Sequence, residues 1–212
     1  MRWTFGVEPL PQTVAAAGLL RRVTELVLAM EGENEAVGEL IVRLQVAEAR
    51  LSASAPVDLH PRVGDAAASS GGRVYLDHAR DVGAFNPCVP QYAMAVNGNL
   101  ASGTVTFPIV YEGPPGLVHG GVLGLFFDCV VQQHNCDVGV AGKTTALTLH
   151  YRRPTPLLTE LRFDVSRAVE GDRITSAARL LLDGQVLCEA EVRAVAGDRA
   201  SLPEVSPRRS VL

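Results

Sequence analysis

A chain of 212 residues, 47% hydrophobic and 20% charged, is long enough to bury a core and has the balance of an ordinary globular protein. Its 19 basic and 23 acidic residues give a net charge of −4, without the basic excess that a nucleic-acid partner would demand. No apolar run reaches the length of a membrane span and no basic lead opens into an apolar one at the N-terminus, so a cytoplasmic protein without membrane partners is expected.

Residues 1–12 are rich in Pro and Gly and read as an irregular lead-in. Thr13 is a candidate helix cap, after which Leu19, Leu20, Val23, Leu26, Val27 and Met30 recur at helical spacing until residues 31–34 break the pattern. A second helix resumes at Glu35, with Val37, Leu40, Ile41, Leu44, Ala47 and Leu51 on one face. The pair predicts a helical hairpin whose apolar stripe packs on its own domain. Residues 52–90, crowded with Ala, Ser, Gly and Pro, read as loop around a short run at 73–76. His60 and His78 stand there singly, and neither they nor His134 and His150 have metal-ligand spacing, so no metal is predicted. Cys88, Cys129, Cys136 and Cys188 are scattered without a C-x-x-C pair and read as free thiols of a reducing compartment.

From residue 91 the pattern becomes regular. Runs at 92–96 and 100–111 flank Asn97-Gly98-Asn99 and predict a hairpin. Four further β-type runs, at 144–151, 160–169, 173–182 and 185–195, are separated by Pro154 with Pro156, Glu170-Gly171-Asp172 and Asp183-Gly184, and predict sequential antiparallel strands. Between hairpin and meander lies the stretch 111–136. It opens with the turn Gly113-Pro114-Pro115-Gly116 and runs from Gly120 into about four turns of apolar helix. Such a helix must be covered on all sides, and one sheet covers only part of it, so a homodimer is expected. Gly120 and Gly121 leave backbone N–H groups uncovered at the helix N-terminus, where developing negative charge is favoured. Asp128, two turns further in, is a carboxylate within an apolar run, which is costly to bury without a partner.

These residues resemble the hotdog-fold acyl-CoA thioesterases, in the group of the phenylacetate-pathway enzymes and the mammalian thioesterase-superfamily members. The resemblance rests on His119-Gly120-Gly121 after Gly113-Pro114-Pro115-Gly116, on Asp128 nine residues past the His, and on the strand 144–154 ending Tyr151-Arg152-Arg153-Pro154. It covers roughly residues 91–196, leaving 1–90 as an N-terminal helical and loop extension and 197–212 as a polar tail. It implies an α+β hotdog fold, a long helix wrapped by a curved antiparallel sheet, in a homodimer or a dimer of dimers with active sites at the subunit interface. By position it implies that the Gly120 and Gly121 amides polarise the thioester carbonyl. His119 shapes the carbonyl end, Asp128 acts as general base or nucleophile, and Thr144 is contributed from the facing strand of the other subunit. Gly113 departs from relatives that carry Asn or Gln there. Lys143, Arg152 and Arg153 are candidate contacts to the phosphates of coenzyme A, which would enter as part of the substrate with no further cofactor. A hotdog hydratase or dehydratase and a non-catalytic acyl-CoA-binding protein remain as alternatives, since one fold hosts all three.

Overall fold

The computed structural model describes residues 11–54, 82–138 and 142–196. The readings made on residues 1–10, on His60, His78 and the run 73–76, and on the tail from 197 lie outside the described residues. In chain order the elements are α1 (Pro11–Leu28), α2 (Glu35–Ser54), the single-turn helix α3 (Val82–Phe85), β1 (Tyr92–Asn97), β2 (Leu100–Thr106), a 3-10 turn at Ile109–Tyr111, the long helix α4 (Gly120–Val138), β3 (Gly142–Tyr151), β4 (Glu160–Glu170), β5 (Arg173–Leu182) and β6 (Gln185–Ala196). All strand pairs are antiparallel, in the order β1-β2-β4-β5-β6-β3, so β1 and β3 are the edges of one sheet. One long helix lies against this sheet, the hotdog arrangement that the resemblance implies.

Alternation along the strands sets which face meets the helix. Leu161, Phe163 and Val165 of β4, and Ile174, Ala178 and Leu180 of β5, are buried while their neighbours are more exposed. Phe126 of α4, fully buried, is the hub of the core. Its ring meets Phe107, Phe163 and Tyr92 edge-on at centroid distances of 5.4, 5.2 and 6.0 Å, and Phe127 tilted at 5.4 Å.

Several boundaries differ from the sequence reading. Helix α1 already includes Pro11 and Gln12, ahead of Thr13, so Thr13 is not its cap. Strand β2 stops at Thr106 instead of 111; Pro108 has no N–H for the ladder and the chain turns into the 3-10 segment. The β1–β2 loop is Gly98-Asn99, and only Gly98 takes a positive φ, 56°, the form that needs Gly at its first position alone. The segment read as loop from 52 contains the end of α2 and all of α3.

The two N-terminal helices behave differently from each other. Arg21, 6% exposed, donates from Nη2 to the carbonyls of Gly83, Asn86 and Val89 at 2.7, 3.1 and 3.1 Å. With Ala17 also buried, this fixes α1 to α3 and to the 3-10 turn, so part of the 1–90 extension is built into the same body as the sheet. Helix α2 buries none of its residues, and Ile41, Leu44 and Leu51 are 51%, 45% and 70% exposed. Among the described residues nothing buries the apolar stripe of α2, which the sequence reading expects to pack on its own domain; burial depends on what lies opposite the stripe.

Among the described residues no helix is long and apolar enough to cross a membrane. None of the four cysteines forms a disulfide. Burial pushes the Cys188 thiol up to about 11, which keeps it protonated and unreactive in the folded chain.

Candidate active site

The site is built where α4 begins and where it passes the edge strand β3. His119 sits one residue before the helix. Its Nδ1 accepts a hydrogen bond from the Gly121 N–H at 3.0 Å, so its side chain caps the helix and the ring proton is carried on Nε2. The Gly121 amide, expected to be open to substrate, is thus occupied in this structure. Among the described residues the Gly120 N–H has no acceptor, and it stands at the positive end of a 19-residue helix. On its other side the Gly120 carbonyl accepts from the Tyr151 hydroxyl at 3.0 Å. Tyr151 therefore braces the helix start.

The turn before the helix is tightly closed. The Gly113 and His119 N–H groups donate to the Leu117 and Tyr111 carbonyls, and the Val118 N–H to that of Thr155. A Cβ on Gly113 would come within 2.8 Å of the His119 Cα, so a larger side chain at this position has no room without movement of the backbone.

Asp128 is half-buried rather than enclosed, and it has a partner. The Thr144 hydroxyl donates to its Oδ1 at 2.7 Å, and the Gln132 Nε2 donates to the Thr144 Oγ1 at 2.6 Å. A carboxylate can only accept, so the hydroxyl proton must point at Asp128, and Gln132 must then present its NH₂. Gln132 escaped the sequence reading; its signal is position, one turn beyond Asp128 on the same face of the helix.

A β-bulge puts Thr144 on that face. A Cβ on Gly124 would lie 3.4 Å from Leu149 and 3.8 Å from Leu147, so odd-numbered residues of β3 face α4. Strict alternation would turn Thr144 away. The β3–β6 register shifts between Thr144, opposite Ala194, and Ala146, opposite Arg193, which leaves Thr145 as an extra residue and reverses the parity. Thr145 spends its hydroxyl on the Arg193 carbonyl at 3.1 Å. The resemblance placed the threonine on the other subunit's strand; here Thr144 reaches Asp128 within one chain.

The candidate cations do not come together. Lys143 and Arg152 flank opposite ends of β3, about 30 Å apart at the rise of an extended strand. Arg152 is ion-paired with Glu189 at 2.7 Å and Arg153 donates to the Val186 carbonyl at 3.1 Å. The Lys143 residue is exposed, and its side chain makes no hydrogen bond or ion pair among the described residues.

Among the described residues no group of three or more His, Cys, Asp or Glu side chains could hold a metal ion. His134 is wholly buried, with Nε2 against the Gly98 carbonyl at 2.8 Å. Burial holds its pKa below the usual 6.5, with Arg167 acting in the same direction and the Gly98 carbonyl and Asp137 opposing. The unfolded chain therefore takes up the proton first on acidification. Stability is full above about pH 6.5 and falls as pH drops below it, down to the folded pKa. His134→Gln is expected to flatten this acid limb, as read by thermal melts between pH 7 and 5.

Over this geometry, a search of solved structures finds a crystal structure of a thioesterase superfamily protein that is 30% identical, with 91% of this chain and 95% of that one covered and a TM-score of 0.72. The chain belongs to the thioesterase superfamily. Mouse thioesterase superfamily member 2 matches at 12% identity over 50% of this chain and 82% of its own, with a TM-score of 0.47. The Escherichia coli PaaI protein, from the phenylacetic acid degradation operon, matches at 14% over 50% and 80%, with a TM-score of 0.45. No family model and no curated protein matches this superfamily member.

Proposed function

We propose that the protein is an acyl-CoA thioesterase, hydrolysing a thioester to a carboxylic acid and free coenzyme A, with Asp128 as general base. The observation that carries this reading is the Gln132–Thr144–Asp128 chain of hydrogen bonds. Thr144 satisfies Oδ1 and leaves Oδ2 to take a proton from water. As the water oxygen attacks the carbonyl carbon, the oxyanion is held by the Gly120 N–H at the helix N-terminus. The C–S bond then breaks, the coenzyme A thiolate leaves, and the proton held by Asp128 is returned to it. His119, with its proton on Nε2, faces the carbonyl end.

This chemistry needs two copies. Asp128 lies eight residues beyond Gly120, about 12 Å along the helix axis, too far for both to act on one carbonyl. A two-fold axis midway between them sets Gly120 of one chain beside Asp128 of the other and makes two such sites. The exposed surface fits this arrangement: Gly121 and Leu125, 40% exposed, lie between the two positions, and edge strand β3 is open along Lys143–Ala146 and at Thr148 and His150. The same axis brings Lys143 of one chain to the Arg152 and Arg153 end of the other, gathering cations for phosphate.

The test is steady-state release of free thiol from short, long and aromatic acyl-CoAs. Hydrolysis of at least one member is expected. Binding of acyl-CoA with no thiol released from any member would overturn the catalytic reading in favour of a binding protein.

A further inference from the structure

Helix α2 is 20 residues long and buries none of them, and a helix of that length without packing is marginal in water. Its residues Val37, Leu40, Leu44, Ala47 and Leu51 step by three and four, the spacing of a coiled-coil seam. Among the described residues nothing buries that seam, although Val37 and Leu40 at its N-terminal end are half-buried. Leu44 and Leu51 are 45% and 70% exposed, and on α1 the outward Leu19 and Leu26 are 55% and 63% exposed, so the two helices do not bury each other.

We propose that α2 pairs with α2 of a second copy as a parallel, in-register two-stranded coil. The charges flanking the seam choose both partner and direction. Arg43 and Arg50 lie on the edge preceding Leu44 and Leu51, and Glu48 lies on the opposite edge, after Ala47. In parallel register the Arg43 edge of one helix meets Glu48 of the other, twice by symmetry. In the antiparallel arrangement the arginine edges face one another, which is repulsive. Among the described residues Arg43 makes the exposed i,i+4 pair with Glu39 at 3.3 Å, which holds it weakly. Val42 and Val46 lie off the seam and stay outward. The proposal does not depend on the catalytic reading, since α2 contributes nothing to the site around Asp128.

Cross-linking of the full chain in a Cys88→Ser background tests it, because Cys88 is exposed whereas the other cysteines are at least half-buried. Leu44→Cys, on the seam, is expected to form a disulfide-linked dimer on mild oxidation about tenfold faster than the outward Val42→Cys, since facing seam positions fall within disulfide reach. Adding Arg43→Glu is expected to slow the Leu44→Cys reaction, and adding Glu48→Arg to that variant to restore it. Residues 43 and 48 are five apart on one helix and cannot pair within it, so the rescue reports contact between chains. Equal rates for the Leu44→Cys and Val42→Cys variants, or failure of the second substitution to rescue, would overturn the proposal. So would a Leu44→Cys thiol shielded from thiol reagents with no covalent dimer, which would place a segment of the same chain on the seam.

Discussion

Replacing Asp128 with Asn is expected to lower the rate of thiol release by at least about a hundredfold, the usual contribution of a positioned general base. The substitution is nearly isosteric. The Asn Oδ1 still accepts from the Thr144 hydroxyl, now 2.7 Å from Asp128, while an NH₂ group takes the place of the oxygen that receives the proton. Because the carboxylate is half-buried and, among the described residues, bonded through Oδ1 alone, the thermal midpoint is expected to move little. A rate within about threefold of wild type, at full occupancy by substrate, would remove Asp128 from the chemistry.

Gly120→Pro is expected to cost a similar factor by removing the N–H, about 3 kcal/mol of transition-state stabilisation for one oxyanion donor. Gly120 is the first residue of α4, the helical position at which proline is best tolerated. The added ring meets the Tyr151 hydroxyl end, 3.0 Å from a Cβ at this position; Tyr151 is 58% exposed, so its side chain can swing toward solvent at the cost of its bond to the Gly120 carbonyl. The two variants also test how the site is divided. If Gly120 and Asp128 act across the two-fold axis, a heterodimer of one variant with the other has one intact site. Mixing after dissociation should then restore about a quarter of wild-type activity, from random pairing of symmetric dimers. Two inactive variants that stay inactive on mixing, despite exchange of subunits, would place the whole site in one chain.

Much of the fold was legible because it is written in local patterns. Period-two burial in β4 and β5, the Gly171 and Asp183-Gly184 turns, and the apolar run of α4 all follow from neighbouring residues, and the structure realises them. The superfamily followed from the spacing of His119-Gly120-Gly121, Asp128 and Tyr151, and the structural match bears that recognition out. The roles drawn for those residues rest on the experiments above. What escaped was longer in range. An amphipathic pattern on α2 says that a stripe is apolar and cannot say what, if anything, lies opposite it.

By itself, then, the sequence determined the elements, their order and the chemistry available, because each depends on residues within a turn or a strand of one another. Only the tertiary structure decided how the site is put together. The bulge at Thr145 reverses the parity of β3 and turns Thr144 to Asp128 within one chain. The His119 ring occupies one of the two helix amides and leaves the Gly120 N–H open. The rigid rise of α4 separates that amide from Asp128 by about 12 Å. Each of these is a relation between segments set by packing and register, which residue identities along a single segment do not encode.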